Sequence, residues 1–178
     1  MITATSASAL VAYDEASRSL TVSGATTIFL LAQIRAAFAA NEVDTVFMMG
    51  PGGSMTAGFE IGRLIRQEGA RVIVPGGARC ASACAFAAVA SENLEIDGEL
   101  LLHRPYIQAV PSDETVENIA AAYGSAYLMM AEYLGEMGFG IGLSRRLVEE
   151  TGRCVLLVAN AERDLDDMFI SDRCESAR

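Results

Sequence analysis

The stretch TVFMMGPGGSMTAGFEIGRLIRQEG, residues 45–69, decides how this chain folds. It opens on an apolar run, Thr45 to Met49, of strand length and character. Gly50-Pro51-Gly52-Gly53 breaks that strand, and a helix follows from about Met55 to Glu68, stopped by Gly69. Successive glycines let backbone N–H groups point into a site, and a helix start adds a favourable dipole for an anion. Such a turn can serve as an oxyanion hole. It can equally be a tight turn with no ligand. It lacks the spacing and the Lys of a nucleotide P-loop.

Outward from this stretch the strand–helix alternation continues. Residues 8–13 and 19–23 alternate apolar and polar around Asp14-Glu15-Ala16-Ser17, a hairpin signal. Thr27 is placed to cap a helix running to Ala40, with Ile28, Leu31, Ile34 and Phe38 on one side. Downstream come a strand at Arg71–Val74, a turn at Gly76-Gly77 and a small-residue helix over Ser82–Val89. Two short strands flank Asp97-Gly98, the second being Leu100 to His103. Pro111-Ser112-Asp113 opens a long helix to about Glu136, which Gly135, Gly138, Gly140 and Gly142 break. A short helix over Ser144–Glu150 and a last strand over Val155–Val158 precede a charged end from Ala161. This order predicts one α/β domain over residues 1–178 with parallel strand pairs and an extra C-terminal helical region.

Composition narrows the function. The chain is 52% hydrophobic over 178 residues, enough for a sizeable core. Its formal net charge of −10 repels phosphate backbones and anionic lipid, so neither nucleic acid nor a membrane surface is an expected partner. The longest apolar stretch, Ile28 to Ala40, is interrupted by Gln33 and Arg35 and is too short to span a bilayer. Met1-Ile2-Thr3-Ala4-Thr5-Ser6 lacks a basic and then an apolar region, so no signal peptide is expected and the chain reads as cytoplasmic. A trimmed mature form of an exported protein would read the same. Cys80, Cys84, Cys154 and Cys174 read either as buried small apolar residues or as disulfides, with Cys154–Cys174 the first pairing to consider. One His and no Cys-x-x-Cys give no metal site, and no cofactor is expected.

All 13 basic residues are Arg and the single histidine is His103. Ser-Lys and Schiff-base chemistry need a deprotonatable amine and are thereby excluded. Any activated serine must use His103 as its base. Ser82 is the candidate, flanked by the small residues Ala81 and Ala83, although a serine opening an Ala-rich helix is more often an N-cap. His103 at a strand end can likewise be a satisfied structural histidine.

Taken together, these segments resemble the Clp protease proteolytic subunit and the wider ClpP/crotonase superfamily. Met49-Gly50-Pro51-Gly52-Gly53-Ser54-Met55-Thr56-Ala57-Gly58 is similar to that family's Ser-Pro-Gly-Gly-x-x-x-Ala-Gly block. Ser82 follows Gly53 by 29 positions, within Arg79-Cys80-Ala81-Ser82-Ala83, which resembles the nucleophile segment Gln-Ala-Ala-Ser-Met. Leu101-Leu102-His103-Arg104-Pro105 resembles Met-Ile-His-Gln-Pro, which carries the base. The Cys-Ala-Ser-Ala-Cys version is closer still to a branch of bacterial ClpP-like proteins, many of which look exported.

The resemblance implies stacked ββα units with a parallel sheet, and a serine peptidase working through an acyl-enzyme. Ser82 would be the nucleophile, His103 the general base, and the N–H groups of Gly53 and Ala83 the oxyanion hole. Asp167, in Asp167-Met168-Phe169-Ile170-Ser171, resembles the orienting carboxylate of Asp-x-Phe-Leu-Ser, slightly ahead of Asp164 in Glu162-Arg163-Asp164. Peptide or unfolded polypeptide as substrate, a homo-oligomer and a separate ATPase partner follow from the same likeness.

Departures from the family pattern keep alternatives open. His103 follows Ser82 by only 21 positions, so the handle region that builds rings is trimmed. Gly50 stands for the usual Ser, and Arg104 for Gln, where a fixed positive charge would lower the pKa of the base. A non-catalytic ClpP-like module for assembly or partner binding is the second reading. A crotonase-type acyl-CoA enzyme is the third, disfavoured by the acidic, lysine-free composition.

Overall fold

The computed structural model describes residues 10–107, 112–152, 155–161 and 165–172. They form two compact units. The first runs up to Leu101 and includes Ala159–Met168; the second comprises Leu102–Val158 and the chain from Phe169.

In the first unit, β1 (Leu10–Asp14) and β2 (Ser19–Thr26) make the expected antiparallel hairpin. α1 (Ile28–Ala40) starts at Thr27, whose hydroxyl accepts from Leu30 N–H at 3.1 Å. Its buried face is Leu30, Leu31 and Ile34, whereas Ile28 is 70% exposed and Phe29 80% exposed. Ile28 is therefore not on the core side. Five consecutive apolar residues open this helix, so periodicity alone could not fix its phase.

β3 (Thr45–Gly53) is the trunk of the sheet. It pairs in parallel with β2 along its length and with β4 (Arg71–Val74) at Thr45–Phe47. At Gly50 it pairs in parallel with β5 (Arg79–Ala81). β4 continues to β6 (Leu94–Ile96) and β5 to β7 (Glu99–Leu102), again in parallel. The sheet thus forks at β3, and the strand runs on through the glycine turn instead of breaking at Gly50. β5 is a strand that sequence reading did not find.

α2 (Met55–Glu68) is capped by Ser54, which accepts from Ala57 N–H, and ends at Gly69 with φ 68°. Its buried face includes Phe59, Ile61 and Ile65, and Phe59 meets Phe86 of α3 (Ala83–Ala88) edge-to-face at 5.6 Å. Arginine ties neighbouring strands across the surface, Arg71 to Glu95 and Arg79 to Glu99, and Arg66 reaches Glu92 at 2.8 Å. Each such exposed pair contributes at most about 1 kcal/mol.

In the second unit, α4 (Val116–Glu136) begins at its Thr115 cap, a few residues later than Pro111 suggested. α5 (Ile141–Glu150) follows, and residues Val155 to Val158 of β8 (Val155–Asn160) pair antiparallel with β9 (Phe169–Asp172), a strand hidden in the charged tail. Met130, Tyr133, Leu134, Leu147 and Leu157 are buried here. Val116, Leu128 and Met129 of α4 and Ile141 of α5 are exposed. Among the described residues no helix is long and apolar enough to cross a membrane.

Candidate active site

Ser82 joins β5 to α3 and stands at φ 56°, ψ −122°. An L-residue rarely adopts this backbone region, which costs about 1–3 kcal/mol and persists only where the surroundings enforce it. The hydroxyl makes no capping bond to α3. The N-cap reading of Ser82 therefore fails in its usual form: the residue occupies the cap position without performing the cap's chemistry. α3 is only six residues long, so its dipole adds little to the serine oxygen. A strained strand-to-helix turn whose serine hydroxyl is not used for capping instead resembles a nucleophile elbow in backbone form.

The glycine turn presses on this elbow. A Cβ on Gly52 would lie 2.6 Å from the Ala81 carbonyl oxygen, 2.6 Å from Ser82 Cβ and 2.9 Å from Ala83 N. On Gly58 of α2 it would lie 2.5 Å from the Ala83 oxygen. Gly52 and Gly58 are thus the reason α3 can start where it does. Gly50 has its own cause. Its Cβ would fall 2.3 Å from the carbonyl oxygen of Gly24, where β2 shifts register. The structure brings Gly52, Gly53, Ser82 and Ala83 into one neighbourhood of the first unit.

Cys80 and Cys84 are disulfide-bonded, with Cα atoms 5.2 Å apart. Both are buried, and the bridge spans the elbow from its strand arm to its helix arm. The reading of these two as unbonded small apolar residues is corrected. Cys154 and Cys174 lie outside the described residues.

His103 belongs to the second unit and is 8% exposed. Its Nδ1 lies 2.8 Å from the Arg104 carbonyl oxygen. A carbonyl only accepts, so Nδ1 carries the proton and Nε2 keeps a lone pair, the tautomer a general base requires. The ring stacks on Tyr106 at 5.3 Å. Arg104 donates from its backbone N–H to Thr151 Oγ1 at 2.7 Å and from its guanidinium to the Val148 carbonyl at 3.0 Å. The guanidinium is thereby committed to the C-terminal end of α5, where positive charge is favoured.

Burial holds the imidazole pKa below its ordinary 6.5, opposed by the bond to the Arg104 carbonyl. The direction is the one expected from sequence, but the cause is desolvation and not the Arg104 charge. The unfolded chain then binds the proton that the folded one refuses. His103 therefore contributes stability that is complete above about 6.5 and declines as pH falls from there toward the lower folded-state pKa. Because this is the only histidine, melting temperature against pH should fall more steeply below 6.5 in the wild type than in His103→Asn. Parallel curves would refute it.

Asp167 is exposed and lies in the first unit. Asp164 lies outside the described residues. A shallow pocket of about 390 Å³ in the first unit, lined by Gly77, Arg79, Asp97, Glu99 and Asn160 among others, includes neither Ser82 nor Gly53.

No protein-family model and no curated protein matches the chain. Among solved structures, a ClpP1 mutant from Listeria monocytogenes matches with a TM-score of 0.64 at 18% identity, covering 85% of this chain and 87% of that one. At that identity the likeness concerns the path of the backbone, and what it establishes is the fold: this chain has the ClpP-like α/β fold.

Proposed function

We propose that the chain is a ClpP-like serine peptidase, of the branch with cysteines on both sides of the nucleophile. The observation that carries this reading is the backbone of Ser82, held at positive φ against a glycine turn with its hydroxyl unspent on capping. Ser82 Oγ attacks the peptide carbonyl, His103 takes its proton at Nε2 and returns it to the leaving amine. The N–H groups of Gly53 and Ala83 receive the developing oxyanion. The pairing of Ser82 with His103 rests on the sequence resemblance.

The third member is Asp167, with Asp164 behind it, on the strength of the sequence resemblance. The Arg104 carbonyl already fixes the imidazole tautomer, so such a carboxylate would add mainly charge stabilisation of the imidazolium. The ClpP1 likeness and the exposed apolar residues of α4 support a homo-oligomer, with peptide as substrate and any ATP dependence supplied by another chain.

A fluorophosphonate followed by peptide mass spectrometry tests the reading. The adduct is expected on Ser82, lost in Ser82→Ala and slowed about 100- to 10,000-fold in His103→Ala. Folded, natively assembled protein that takes no adduct would favour the second reading, a non-catalytic module. The neutral carbonyl at Nδ1, where such triads carry a carboxylate, is the observation on that side.

A further inference from the structure

The elbow at Ser82 is closed by few restraints. Ser82 N–H donates to the Leu101 carbonyl at 2.8 Å, and the Ser82 carbonyl accepts from Phe86 N–H at 3.0 Å. Gly52 leaves the space the turn needs but pulls on nothing. Beyond the main chain itself, the arms are cross-linked by Cys80–Cys84, from the central residue of a three-residue strand to the second residue of a six-residue helix. Ser82 is the midpoint of that bridge. A bridge over so short a loop removes little freedom from the unfolded chain, so global stability is a poor account of its position. It acts where the backbone is strained.

We propose that Cys80 and Cys84 are positioning residues whose disulfide holds Ser82 in its reactive backbone conformation, so that the serine's reactivity depends on the oxidation state of the bridge. This rests on the peptidase reading above. Opening the bridge takes two electrons and two protons from a dithiol, which becomes a cyclic disulfide as Cys80 and Cys84 become thiols. With the link gone, Ser82 can relax toward negative φ, and its oxygen leaves the line defined by Gly53 and Ala83. A misplacement of about 1 Å costs on the order of 100-fold in rate. Both cysteines are buried, so the bridge opens slowly and equilibrium titration is the appropriate measurement.

The full-length wild-type protein is equilibrated in a series of dithiol–disulfide buffers. Differential alkylation with peptide mapping gives the oxidised fraction of the Cys80–Cys84 pair, and fluorophosphonate labelling gives the rate at Ser82. Labelling should follow the oxidised fraction and fall at least 10-fold on full reduction, while circular dichroism shows the protein still folded. Cys80→Ala/Cys84→Ala should label at the reduced rate at 25 °C, with a melting temperature only about 5–8 °C lower. Labelling that stays constant as the pair is reduced overturns the proposal and leaves the peptidase reading standing. If the oxidised protein does not label at all, the peptidase reading fails instead. The Ser82 Cα and Cβ chemical shifts across the same titration then decide the positioning claim. A shift on reduction sustains it, and unchanged values overturn it.

Discussion

Gly52→Ala should lower the melting temperature by about 5–15 °C and nearly abolish labelling of Ser82. Two costs add. Alanine at φ 88° carries a left-handed penalty of about 1–2 kcal/mol. The new methyl also meets the Ala81 oxygen and Ser82 Cβ at 2.6 Å, and neither is the end of a flexible side chain. The elbow itself must move, at an overpacking cost of about 1–3 kcal/mol. A total near 2–5 kcal/mol gives the temperature range for a chain of this size. Displacement of Ser82 accounts for the lost labelling. Gly69→Ala is the control. It shares the positive φ but has open space around its Cβ, so it should cost about 1 kcal/mol and leave labelling intact. Equal effects of the two substitutions on labelling would refute the contact between the glycine turn and the elbow.

Ser82→Gly should abolish labelling completely and yet give a more stable protein than Ser82→Ala. Either change removes the hydroxyl, and neither loses a cap because Ser82 makes none. Only glycine relieves the strain at φ 56°, ψ −122°, worth about 1–3 kcal/mol, against about 0.5–1 kcal/mol of extra unfolded-state freedom. A net advantage near 1 kcal/mol for glycine over alanine is the expectation, read from denaturant midpoints at constant slope. Glycine the less stable of the two would mean that residue 82 does not hold a positive φ in solution.

What could be read from the chain beforehand was local. Thr27 and Gly69 mark helix ends through bonds to residues three or four positions away, so their helices were bounded almost to the residue. β5 could not be found that way. Arg79-Cys80-Ala81 has no pattern of its own and is a strand because β3 and β7 flank it. β9 likewise exists through β8. At the site, Ser82 and His103 were visible as residue types, yet the conformation that makes Ser82 chemically suggestive was not. A serine before Ala-rich sequence specifies a cap unless the surrounding fold holds another backbone, for which Gly52, distant in sequence, leaves the room. The Cys80–Cys84 bridge was missed for the same reason. A spacing of four residues suggests one helix face, and here a strand-to-helix turn sets the distance. The Arg104 carbonyl as the Nδ1 partner depends on a backbone turn that no side-chain motif announces.

The ion pairs that cross the sheet surface are made by arginine alone, as every basic side chain in the sequence is. The choice has a practical corollary for whoever asks how copies of this chain assemble. Aldehydes and succinimidyl esters fix complexes by bridging lysine amines, and no side chain here offers one. An assembly could pass through such a reagent unlinked and be scored as a monomer. Mass measurement on the intact complex, or linkers that couple through carboxylates, would count the subunits where amine chemistry cannot.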